Sequence, residues 1–189
     1  MSCLSWVSGI LALITALGTL LGALVALFAS IAALRQWKQQ IRIQRAEFVK
    51  QLIEKLRFDE AVTEAGYLVD YGEFQYPEGF FDLSNERTEN NKRIERQIDQ
   101  YLSYLSYLCY LIETGSITEQ ETQLFEYKLV RTLQSLSVQA YLWNLVHFSK
   151  KFNVKCSFHN LIMYGINRKI IDVDFLTNDK KKYPKILTF

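Results

Sequence analysis

Few residues in this 189-residue chain could do covalent or metal chemistry: His147, His159 and the cysteines Cys3, Cys109 and Cys156. The two histidines fall on different expected segments, and neither has a second His or Cys at metal-ligand spacing, so no metal is expected. Cys156 and His159 stand at i and i+3, the one pair that could couple a thiolate to an imidazole. Cys and His near a segment start equally serve packing, and no catalytic residue is expected there. The chain contains no Gly-x-x-x-x-Gly-Lys-Ser/Thr, no Gly-x-Gly-x-x-Gly and no Gly-x-Ser-x-Gly. It therefore lacks the signatures of a phosphate cradle and of a strained nucleophile turn. The expectation is a protein that is not an enzyme and carries no cofactor.

With so little chemistry to position, the elements become the informative level. Leu4 to Leu34 contains no ionisable side chain; its polar groups are Ser5, Ser8, Thr15, Thr19, Ser30 and the Trp6 indole. As one helix it would extend about 46 Å, more than the roughly 30 Å hydrocarbon core and too little for two antiparallel spans. One transmembrane helix over residues 1–34 is expected. A cleaved signal peptide is the alternative, although the stretch lacks a basic start and is about twice the usual apolar length. The N-terminal flank has no Lys or Arg, whereas Arg35, Lys38, Arg42, Arg45 and Lys50 follow the span against Glu47 alone. Positive charge stays on the cytoplasmic side, so a cytoplasmic C-terminal domain is expected. An odd cysteine count without close spacing suits that compartment.

Gly18, Gly22, Ala26 and Ser30 recur every four residues, the pattern through which two spanning backbones approach closely. They are the candidate residues for self-association, the alternative being that small residues are common in any span. Arg35, Lys38, Arg42 and Arg45 are the candidate contacts for lipid headgroups or nucleic acid. A net charge of +2 hides segregation. Residues 35–58 carry seven bases and two acids, 59–126 four bases and fifteen acids, and 127–189 eleven bases and three acids. Internal complementarity and polyanion binding both fit this arrangement.

No Gly or Pro lies between Ala23 and Gly66, so the span is expected to run on as a basic stalk helix over 35–58, with Trp37, Ile41, Phe48, Leu52 and Leu56 on one packed face. A helical bundle over 59–175 and a polar tail over 176–189 follow. Within the bundle, a helix at about 60–71 leads to an aromatic loop over 74–82. Ile94, Ile98, Leu102, Leu105, Cys109 and Ile112 mark a long buried helix face. Tyr101, Tyr104, Tyr107 and Tyr110 spiral around that helix, their hydroxyls meeting core edges and neighbouring helices. Gly115 suits a helix end, and Ser116–Glu119 and Thr118–Glu121 both offer capping boxes. Phe125, Leu129, Leu133 and Leu136, then Tyr141, Leu142, Leu145 and Phe148, continue the apolar face, and a short segment at about 157–170 closes the bundle. The fold class expected is all-α.

Arg45-Ala-Glu-Phe, Tyr67-Leu-Val-Asp-Tyr-Gly-Glu-Phe and Ile112-Glu-Thr-Gly-Ser-Ile-Thr-Glu carry a resemblance, over roughly residues 35–150, to small bacterial single-pass proteins with a helical domain of unknown function. The order of features is also similar to the membrane-anchored accessory proteins of RNA-targeting type VI-B CRISPR systems. That second resemblance implies a divergent HEPN-like domain, assembly into a pore in the bacterial inner membrane and a role in anti-phage defence, with an RNA-guided effector or RNA as partner. HEPN nucleases use an Arg followed four to six residues later by His. No arginine here has a histidine in that window, so a HEPN-like fold would lack the nuclease motif. The expected function is an oligomeric, non-enzymatic membrane effector; the alternative is a membrane-tethered RNA- or ligand-binding module.

Overall fold

A computed structural model describes residues 3–76 and 88–177, with side chains from Thr15 onward except Ala16. Most of the aromatic loop (77–82) and the tail beyond Thr177, including its triple lysine, lie outside the described residues. The architecture is all-α, with no strand among the described residues: α1 (Cys3–Phe58), α2 (Glu60–Asp70), α3 (Glu89–Glu113), α4 (Glu119–Gln134), α5 (Leu136–Lys151), α6 (His159–Asn167) and a 3-10 turn at Val173–Leu176. The chain divides into two units, residues 1–48 and 49–189.

The first unit is helix throughout its described length. Leu and Ala, both good helix formers, predominate and no proline breaks the stretch, while Gly18 and Gly22 are tolerated as in other apolar helices. Leu20, Leu21, Leu24, Val25, Leu27 and Phe28 are all exposed, as is every residue from Leu17 to Glu47. Trp37 and Ile41, expected on a packed face, are exposed too. The packed face begins only at Val49, with Phe48 half-buried and Leu52 and Leu56 buried.

The second unit is organised around α3, which contacts α2, α4 and α6. Its buried set is wider than the stripe read from spacing. Ile98, Leu102, Leu105 and Cys109 are buried as expected, and Tyr101, Tyr104, Leu108 and Leu111 join them, because helices cover α3 on several sides. Ile94 and Ile112, near its ends, are only half-buried. The Tyr101 hydroxyl pairs with Thr132 Oγ1 at 2.8 Å and that of Tyr104 donates to the Leu52 carbonyl, while Tyr107 and Tyr110 are exposed. Two of the four tyrosines thus tie α3 to α4 and to the last turns of α1.

The connections follow local chemistry. The side chains of Asp59, Thr88 and Thr118 accept from Val62 N, Asn91 N and Glu121 N to cap α2, α3 and α4. Of the two offered capping boxes the chain uses Thr118–Glu121, whose Glu121 carboxylate returns to the Thr118 N–H at 2.7 Å. Gly115 ends α3 at φ +70°, where a residue with a Cβ would be strained. Between α4 and α5, Ser135 turns extended and caps α5, and Gln139 Nε2 donates to the Leu133 carbonyl at 2.7 Å, covering an otherwise open helix end. Leu136, expected in the core, instead opens α5 immediately after that break and is 73% exposed; Val138, Trp143 and Val146 supply the burial in its place.

Candidate functional site

The N-terminal helix is the first candidate. A window within it has a mean hydropathy of 2.3, and none of that window is buried. An apolar helix of this length without an intramolecular cover meets the length and composition requirement for crossing a membrane. Its described polar groups satisfy themselves: Ser30 Oγ donates to the Ala26 carbonyl at 2.8 Å and Thr19 Oγ1 to the Thr15 carbonyl at 3.1 Å. Gly18, Gly22, Ala26 and Ser30 are all exposed, and a Cβ built on either glycine would meet nothing within 4 Å. At about 100° per residue the four small residues wind over roughly 120° of the helix surface. Arg35, Lys38, Arg42 and Arg45 are also exposed, and the same arithmetic confines them to roughly 80° on a different side. The helix therefore separates a small-residue strip from a basic strip.

The second unit holds polar groups that no motif announced. Tyr141 Oη donates to Asp99 Oδ1 at 2.6 Å, joining α5 to α3. Burial raises the Asp99 carboxyl above its usual range even against that hydrogen bond, and burial next to Asp99 pushes the Tyr141 hydroxyl up in turn. Nearby, Asn144 Nδ2 donates to the buried Tyr76 hydroxyl at 2.7 Å, and the Tyr76 ring lies edge-on to Tyr141 with centroids 5.2 Å apart. A third cluster forms where Lys128 pairs with the Asp70 carboxylate and Arg131 donates to the Asp70 carbonyl at 2.8 Å, locking α4 onto the end of α2. These pairs are 42, 68, 58 and 61 residues apart in sequence, so no local spacing could have signalled them.

Two clefts open on this unit. One, of about 480 Å³, is lined by Lys55, Asp59, Asp99, Ser103, Tyr104 and Tyr107 and mixes both signs of charge. The other, of about 410 Å³, is lined by Arg57, Phe58, Gly66, Tyr67, Tyr101 and Lys128 among others, with no carboxylate in its lining.

The Cys156–His159 pair has the wrong electrostatics for an activated nucleophile. Burial pushes the Cys156 thiol up, and burial together with the Lys155 ammonium lowers His159. A thiolate–imidazolium couple requires both shifts to be reversed. Cys109 is pushed up to about 12 by burial and is a core thiol. His147 packs on the Trp143 ring, centroids 3.9 Å apart. Among the described residues no three His, Cys, Asp or Glu side chains converge as a metal site would need. No protein-family model, curated protein or solved structure matches this chain.

Proposed function

We propose that the protein is a membrane-anchored, non-enzymatic effector whose subunits associate through the N-terminal span and whose assembly perturbs the bacterial inner membrane, a pore being its fullest form. The supporting observation is the uncovered apolar helix: its Leu, Val and Phe side chains are exposed, and burying them in hydrocarbon yields about 25 cal/mol per Å² of apolar surface. The open surface at Gly18 and Gly22 supports close approach of a second helix. Positive charge concentrated after the span supports a cytoplasmic bundle. The place in anti-phage defence, alongside an RNA-guided effector, rests on the resemblance in the order of elements.

Light scattering of the full-length chain in mild detergent, corrected for bound detergent, tests the assembly. A discrete oligomer that Gly18→Leu with Gly22→Leu reduces to monomer is the expected result, together with loss of dye leakage from vesicles carrying that double variant. A parent protein that is monomeric and leaves vesicles intact would remove the effector reading. The second reading, a tethered module that holds RNA or a ligand without perturbing the bilayer, would then stand; the exposed basic strip at Arg35, Lys38, Arg42 and Arg45 favours it.

A further inference from the structure

The 410 Å³ cleft of the second unit falls within the roughly 300–1,000 Å³ typical of small-molecule sites, and its lining is chemically one-sided. Two cations, Arg57 and Lys128, and three aromatic rings, Phe58, Tyr67 and Tyr101, line it; no carboxylate lines it, although the Asp70 carboxylate pairs with Lys128. The other cleft, with Asp59 and Asp99 in its wall, would repel the anion this one would attract.

Each cation has capacity to spare. Lys128 gives one of its three N–H donors to Asp70 and sits over the Tyr67 ring, 5.6 Å from the centroid. Arg57 is exposed and makes no ion pair among the described residues. The rings are presented too: Tyr67 is 53% and Phe58 78% exposed, although both have large apolar faces that water solvates poorly. Tyr67 is held in place by stacking on Tyr71 at 5.9 Å. Gly66 forms part of the wall. A glycine inside a helix costs stability, yet here a Cβ would stand 3.5 Å from both Lys128 Nζ and the Tyr101 ring, occupying space beside the ammonium.

From this pairing of aromatic faces with cations we propose that the cleft binds a nucleotide, its base against Tyr67 and Phe58 and its phosphate held by Arg57 and Lys128. The same chemistry is offered by a free mononucleotide and by one nucleotide of a single-stranded RNA. The site stands independently of the membrane anchor, and its failure would leave that reading untouched.

Calorimetric titration of the full-length protein in detergent tests the site, using the four ribonucleoside monophosphates, adenosine, inorganic phosphate and single-stranded RNA of about ten nucleotides. A monophosphate or the RNA is expected to bind, with adenosine and phosphate each weaker by about tenfold or more, since each keeps only half of the recognition. Arg57→Gln and Tyr67→Ala are each expected to weaken binding about tenfold without changing the helical circular dichroism. Phe58→Ala replaces Tyr67→Ala if the latter does not fold. RNA binding tighter than any monophosphate and weakened by the same substitutions assigns the strand as source; monophosphate binding equal or tighter assigns the free nucleotide. Absence of binding by every monophosphate and by the RNA at about 1 mM would overturn the site. So would inorganic phosphate binding as well as the nucleotide, or affinities that Arg57→Gln and Tyr67→Ala leave unmoved.

Discussion

Single residues in the second unit carry more of its specificity than their types suggest. Asp99 shows this through protonation. The folded state holds its proton more tightly than the unfolded chain, whose carboxyl has the ordinary value of 3.8. That contribution therefore favours folding below pH 3.8 and is lost as pH rises through the raised folded value, leaving a half-buried charge at neutrality. Asp99→Asn keeps an acceptor for the Tyr141 hydroxyl and removes the charge. The variant should be more stable than the parent at neutral pH, with the difference closing below pH 3.8, as urea midpoints at several pH values would show. Gly165 is a second case: a Cβ there would lie 2.8 Å from Ile171 Cδ1 and 3.3 Å from Leu133 Cδ1, and both neighbours are buried. Gly165→Val should cost about 1–3 kcal/mol through overpacking, despite the better helix propensity of valine, measured as a lower denaturant midpoint at unchanged slope.

Elements were far more legible than contacts. Helix starts and stops were readable because capping chemistry is local: Gly115 with its positive φ and the Thr118–Glu121 box lie within a few residues of the ends they define. Thr118→Ala removes the side-chain arm of that box, leaving only the backbone N–H to the Glu121 carboxylate, and should destabilise the domain by about 1 kcal/mol, observable as a shifted urea midpoint. The α3 core face was visible from its period, but the burial of Tyr101 and Tyr104 on other faces was not, because it depends on which helices return to cover α3. Leu136 fits the apolar period of α4, yet Ser135 breaks the helix first and resets the phase, so the residue is exposed. Trp37 and Ile41 belong to an approximate apolar stripe that spacing extends to Leu56, whereas packing starts only at Val49. The clefts and the Asp99–Tyr141 and Asp70–Lys128 pairs arise from tertiary convergence of distant segments and left no mark in the sequence.

At the scale of the whole molecule, composition divides the labour between the two units. The first carries an apolar span with no internal cover, and the second buries an apolar core around α3. A chain built this way exposes hydrocarbon to water unless lipid or another span takes it, which is why the bilayer is central to the proposed function. The most direct test is alkaline carbonate extraction of membranes from cells expressing the full-length chain, followed by mass spectrometry of the pellet. Recovery in the pellet of intact chain of 22.1 kDa, with peptides covering Gly18 to Ser30, is the predicted result. Release of the chain into the carbonate supernatant, or a product that has lost those residues, would contradict the account.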